Sequence, residues 1–111
     1  MKKINRLAKN EDFRNVINRH QAFSNSSFVL SYLKNDLGYG RVGVTISGKY
    51  GDAVERNKAK RQTRMLVAKL FNLTQPYDWV VLIKKGFKNK TYSENEVELT
   101  YLHKKFVEKG M

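Results

Sequence analysis

The stretch that most restricts how this chain folds runs from Gly51 to Leu70, GDAVERNKAKRQTRMLVAKL. Two periodic patterns overlap in it. Ala59, Thr63, Leu66, Val67 and Leu70 recur at helical spacing, which gathers them into one apolar stripe. Arg56, Asn57, Lys60, Arg61 and Arg64 recur out of phase with that stripe. At about 100° per residue they cover roughly 140° of arc on the other side. Like charges one helical turn apart repel, so a helix built only for stability would interleave acids. Between Arg56 and Lys69 there is no acid. Most charge runs are simply solvated faces. A single-sign face with an apolar backing and an Asn among its cations points instead to a polyanion-binding surface.

The rest of the composition agrees. Lys and Arg number 22 against 10 acids, and the resulting net charge of +12 is the electrostatic footprint of a nucleic-acid binder. At 41% hydrophobic and 12% aromatic, the chain is too apolar for a disordered basic tail and suffices for one domain spanning residues 1–111. A membrane-surface protein would gather its cations opposite a lipid-inserting helix face, whereas the apolar residues here are spread over several segments. There is no Cys, no signal peptide and no apolar run of about 18 residues. The expectation is a soluble cytoplasmic protein without a membrane partner.

Along the chain, Met1 to Lys9 reads as basic and irregular. Asn10 is placed to cap a first helix in which Phe13, Val16, Ile17 and His20 share an edge. Ser24 to Ser27 is a polar break. Phe28 to Leu33 reads as a central strand with both faces largely apolar, and Asn35 to Gly40 as the turn of a hairpin leading into the strand Arg41 to Ser47. Gly43 thins one face of that strand, inviting a close approach by a backbone or ligand. Asp52 caps the basic helix, and Asn72 to Asp78 is a linker with the only proline. Trp79 to Ile83 reads as a strand buried on both faces. Ser93 and Glu96 form a capping box for a last helix with Leu99, Leu102 and Phe106 on its apolar edge. The order helix, strands, helix, strand, helix predicts an α+β sandwich, with helices packed on one sheet.

Three blocks carry a resemblance. Gly-x-Ala-Val-x-Arg-Asn-x-x-Lys-Arg-x-x-Arg (Gly51 to Arg64), NRLAKNEDF (Asn5 to Phe13) and RVGVTIS (Arg41 to Ser47) resemble, in the same order, the protein subunit of bacterial ribonuclease P. The resemblance implies a mainly four-stranded sheet and a left-handed βαβ crossover carrying the basic helix. It also implies a function: the RNA subunit is the catalyst that removes the 5′ leader of precursor tRNA by phosphodiester hydrolysis. The protein then binds that RNA and the leader and helps metal-dependent activity, with Mg2+ bound by the RNA partner and not by a protein site. Residue by residue, it implies RNA contacts from Lys49, Arg56, Asn57, Lys58, Lys60, Arg61 and Arg64. Phe13, Ile17, Val29 and Ser31 fall in the family's leader-binding cleft. Ile17 and Ser31 stand where many relatives carry aromatics, and Gly48 where a Lys is usual. Leader contact is then weaker here or passes to residues such as Tyr32 or Tyr50. On residue grounds alone, Phe13 reads as ordinary helix-to-sheet packing.

Catalytic chemistry is thin in the sequence itself. Walker and GxGxxG spacings are absent. Acids sit singly or at helix starts, and His20 and His103 lie far apart on different predicted helices, so no paired imidazoles are expected. The protein itself is expected to carry no catalytic residue and no metal site. Lys84, Lys85, Lys88 and Lys90 around Gly86 read as a flexible loop adding diffuse attraction. The competing function is a general RNA-binding or ribosomal protein of related α/β fold.

Overall fold

The computed structural model describes residues 2–110, ordered as α1 (Asn10–Ile17), β1 (Ala22–Ser24), β2 (Phe28–Lys34), β3 (Arg41–Ile46), α2 (Ala53–Leu70), β4 (Tyr77–Ile83) and α3 (Tyr92–Gly110). The strands form one mixed sheet in the order β1-β2-β4-β3. Its organising strand is β4, antiparallel to β2 and parallel to β3. Trp79, Val80, Val81 and Ile83 are at most 1% exposed, so this segment needs a neighbour on each edge and a layer on each face.

That requirement overturns the expected hairpin. With β4 inserted between them, β2 and β3 do not pair, and Asn35 to Gly40 is an arch rather than a hairpin turn. Its amides reach the linker before β4 instead: Asn35 N donates to Pro76 O (2.9 Å) and Gly40 N to Leu73 O (2.8 Å). The polar break before β2 also conceals β1, which pairs Ala22 to Ser24 with Ser31 to Val29. Three mostly exposed edge residues carry no alternation to read. Asn25 turns the chain between them, its Oδ1 accepting from the amides of Ser27 and Phe28 (3.2 and 3.1 Å).

The crossover from β3 through α2 to β4 is left-handed, as the resemblance implied. Val42 faces the α2 side and packs in the core there. Its carbonyl accepts from Leu7 N (3.0 Å), at the outer edge of the sheet. Viewed from α2 with β3 running upward, an L-residue whose side chain faces the viewer directs its N–H and C=O to the right. The N-terminal segment therefore lies right of β3, and β4 lies left. A chain that climbs β3, descends in front and re-enters on the left turns left-handed, against the general rule.

Two of the capping expectations shift. Asp52 caps α2 as read: its Oδ1 accepts from Glu55 N (2.9 Å) and Glu55 Oε1 accepts from Asp52 N (3.2 Å). In α3 the box is Thr91 with Glu94, not Ser93 with Glu96. At α1 Lys9 holds the capping position without a side-chain bond, and Asn10 is already helical. The helix ends at Ile17, and His20 lies beyond it with φ 56°, in the left-handed region.

The main core lies between the sheet and the α2/α3 layer, where Trp79, Phe71, Tyr77 and Phe106 meet edge to face or tilted at 4.9–5.8 Å. Leu99, Leu102 and Phe106 are fully buried, as their spacing predicts. On the opposite face α1 lays Val16 and part of Phe13 against Leu7, Leu33 and Val80.

Candidate nucleic-acid interface

Helix α2 presents a buried stripe, a crest and two unlike flanks. Ala59, Thr63, Leu66 and Val67 are buried and Leu70 half-buried, so the apolar stripe docks as predicted. Asn57, Lys58, Arg61 and Arg64 are exposed, while Arg56 and Lys60 are half-buried. Arg56 is drawn down because its Nη1 donates to Ser47 O (2.7 Å), which ties the helix start to the end of β3.

The flank toward β3 carries Arg56, Lys60 and Arg64. Arg64 reaches a hollow of about 240 Å³ that it shares with Arg6, Leu7, Phe13 and Gly43. A Cβ on residue 43 would collide with the Phe13 ring, so Gly is what lets that ring lie flat on the sheet. The close approach foreseen at Gly43 is thus made by the chain's own aromatic. Phe13 is only half-buried: its outer part also lines a neighbouring hollow with Arg14, Ile17, Val44 and Thr45. Packing residue and cleft wall are one and the same here. Val29 and Ser31 share the α1 side of the sheet by alternation, but they line neither hollow; Ser31 is 8% exposed, between Ala22 and Val80.

The flank toward α3 carries Glu55, Lys58, Gln62 and Lys69. Lys58 lines a hollow there with Glu55, Lys88 and Lys90, apart from Arg61 and Arg64. Charges on this side are largely matched. Lys88 bridges Glu55 (2.9 Å) and Lys69 bridges Glu96 (2.7 Å); hydrogen bonding to these carboxylates raises both lysines, and the bond from Lys88 lowers Glu55. Lys84 Nζ donates to Asn25 O (2.8 Å) and Lys90 Nζ to Ser26 Oγ (2.7 Å). The expected flexible lysine loop is in fact a short 3-10 turn, Lys85–Asn89, held by its own cations; only Lys85 points out unengaged. Its backbone is clamped at Gly86, where any Cβ would strike Ser26 O.

Tyr50 and Tyr32, the alternative leader contacts, face the wrong way. Tyr50 is buried beside Phe87, and Tyr32 stacks on Phe23 in the α3 layer. Lys49 is exposed on the turn before α2. Under α1, Arg41 grips Asp78 through two bonds (2.9 and 2.7 Å) and reaches Asp12 (3.4 Å). The Asp78 bond raises Arg41 further above its usual value, so this cation is committed to holding α1 on the sheet. Sequence reading passed over Arg6 and Arg14, which line the same hollows; Leu7, one of the few apolar residues in a basic segment, was the available signal. His20 is exposed, and His103 packs against Phe71 in the main core (4.6 Å). Among the described residues no group of three or more His, Cys, Asp or Glu is arranged to hold a metal ion.

Comparison with known proteins decides the family. The family model described as Ribonuclease P matches residues 1–107. The chain belongs to the ribonuclease P protein family. It is 35% identical to the ribonuclease P protein component of Mesoplasma florum over 96% of its length and 99% of the relative's. With that of Bacillus velezensis it shares 38%, over 95% and 91%. The Staphylococcus aureus RNase P protein structure superimposes with a TM-score of 0.80 at 29% identity, covering 90% of this chain and 93% of that one. The Thermotoga maritima protein gives 0.75 at 27%, over 87% and 93%. This is the RNA-binding protein component of a tRNA-processing enzyme, and its α+β architecture is that of RNase P proteins. Among the described residues no helix is long and apolar enough to cross a membrane.

Proposed function

We propose that the crest and β3-side flank of α2 seat this chain on the catalytic RNA of ribonuclease P, while the hollow under α1 receives the unpaired 5′ leader of precursor tRNA. The observation that carries this is the position of Arg64, which lines the Phe13 hollow and the crest hollow at once. The basic helix and the cleft are therefore one continuous surface. Arg61 and Arg64 hold phosphates through planar forks that lose little freedom on binding, Lys49, Lys58 and Lys60 add point charge, and Asn57 orients through its amide. Phe13 and Ile17 offer apolar faces to unpaired bases, a contact of about 1–3 kcal/mol per base for an aromatic and indifferent to sequence. Val29 and Ser31 share this face of the sheet but line neither hollow, so they back the cleft rather than meet the leader.

In this reading hydrolysis of the phosphodiester belongs to the RNA subunit in the cytoplasm, and Mg2+ is held by RNA phosphates. The protein contributes by neutralising charge where RNA strands converge, which lowers the Mg2+ needed to assemble the complex. The test is reconstitution with a bacterial ribonuclease P RNA. Protein alone should leave precursor tRNA intact, and protein plus RNA should cleave it at magnesium concentrations where RNA alone is slow. Equal affinity for leader-bearing and mature tRNA, with no stimulation, would instead indicate a general RNA-binding protein.

A further inference from the structure

Arg6 lines the Phe13 hollow but has been given no role of its own so far, and the fold fixes its backbone firmly. Leu7 is buried and its amide is bonded to Val42 O (3.0 Å), with residue 6 paired to Val42 in parallel register. Asn5 is buried too, its Nδ2 donating to Gly40 O (2.7 Å). The segment thus acts as a short extra strand on the β3 edge, and it delivers Arg6 to α2 from the other end of the domain. Arg6, Arg61 and Arg64 line a hollow of about 260 Å³ together with Met65 and Ala68.

Two features mark this hollow as a ligand site. Among the described residues none of the three arginines is in an ion pair, whereas Arg41, Lys69 and Lys88 each have a carboxylate. Three permanent charges gathered around one concavity with no carboxylate among them make a surface that favours a bound anion. Beside them Met65 is 57% exposed, a large apolar side chain on a charged surface. Its flexible, polarizable thioether suits a flat apolar partner of variable outline.

We propose that this hollow is a nucleotide subsite, in which Arg6 and Arg64 grip one phosphate, Arg61 its neighbour, and an unpaired base lies on Met65. It rests on the RNA-binding reading above and adds Arg6 and Met65 to it. The nucleotide is either the next one of the leader after the Phe13 hollow or one of the catalytic RNA; the chemistry is the same.

The experiment compares Arg6→Gln, Arg6→Lys, Met65→Ser and a charge-matched control, Lys105→Gln on the far helix α3, in the reconstituted holoenzyme at low magnesium. Each is assayed with precursor tRNA bearing a single-nucleotide leader and with one bearing a long leader. Arg6→Gln should weaken precursor or RNA binding roughly tenfold, the loss of a charge-assisted contact. It should also flatten the salt dependence by about 0.7 in log K against log salt. Met65→Ser should weaken binding with the salt slope unchanged, and Arg6→Lys should recover only part, since the fork is lost. A loss confined to the long leader assigns the nucleotide to the leader; an equal loss with both, accompanied by weaker assembly, assigns it to the catalytic RNA. The subsite is refuted if Arg6→Gln matches Lys105→Gln on both substrates, or if Arg6→Lys restores binding completely. Failure of the unaltered protein to stimulate cleavage would instead sink the ribonuclease P reading itself.

Discussion

On the α2/α3 side of the sheet, sixteen buried side chains form a continuous aromatic-rich core; on the α1 side the buried hydrophobic cluster among the described residues is Leu7, Val16 and Val80. The same strands serve both faces, so the difference lies in what covers them. Two long helices cover the first, and an eight-residue helix covers the second. An isolated helix of that length is marginal in water, so α1 depends on its docking contacts. Those are Val16, the Phe13 ring on Gly43, and the single Arg41–Asp12 tether. Most of the buried core lies on one face, and the proposed leader hollow uses the thinly covered other. The ligand-side element comes from the low-stability end of the structure, where local opening is cheap.

The largest expected effect comes from breaking the thick face. Phe106→Ala should cost about 3–5 kcal/mol, a large share of the roughly 5–15 kcal/mol that holds a domain together. Urea titration should show a collapsed midpoint. Val16→Ala on the thin face should cost only about 2 kcal/mol and act locally. Amide exchange in α1 should then rise while β4 stays protected; uniform loss of protection would show that the two faces unfold together.

Gly43→Ala sharpens the comparison without removing a buried side chain from either core. The new methyl must displace the Phe13 ring, an overpacking cost of about 1–3 kcal/mol. Leader-dependent stimulation should drop severalfold while catalytic-RNA affinity holds. Equal loss of both would mean that α1 and α2 do not work independently.

The two flanks of α2 give a third contrast. Arg64→Ala should slow single-turnover cleavage at low magnesium far more than Lys88→Ala, because Lys88 is engaged with Glu55 and Arg64 has no such partner. Raising magnesium should restore much of the Arg64 loss by screening the same phosphates. Parallel magnesium curves for the two variants would reduce the interface to net charge.

The smallest effect concerns His103. Burial lowers its pKa below the usual imidazole value, so across that window the unfolded chain binds more protons than the folded one. Stability contributed by the neutral ring is present above about pH 6.5 and falls as pH drops toward the lowered folded value. His103→Leu should flatten the slope of melting temperature against pH between about 5 and 7. Reconstituted cleavage should hardly change, as also for His20→Ala. A strong loss in either variant would overturn the view that no protein imidazole takes part.

Much of this was legible because burial and helical spacing write themselves into sequence. The α2 stripe, the Asp52 cap and the Trp79 to Ile83 strand needed no partner to be recognised. Pairing was harder. A strand buried on both faces belongs in the centre of a sheet, but nothing local says that it will separate β2 from β3. Charge was harder still: Arg64 and Lys88 look alike as letters, and only the fold supplies Glu55 to one and leaves the other open. Arg6 was hidden by its polar neighbourhood, since its importance comes from an edge pairing with Val42 far along the chain.

The central place of β4 also fixes when this protein is able to fold. As the chain emerges from the ribosome, β2 and β3 appear early but have no pairing with each other to make. The strand that joins them arrives only after the basic helix, at Tyr77–Ile83. Until then a helix bearing unmatched cations is exported beside the ribosome's own RNA, before the sheet that will support it exists. The sheet is therefore complete only once one late segment, β4, has paired with β2 on one side and β3 on the other.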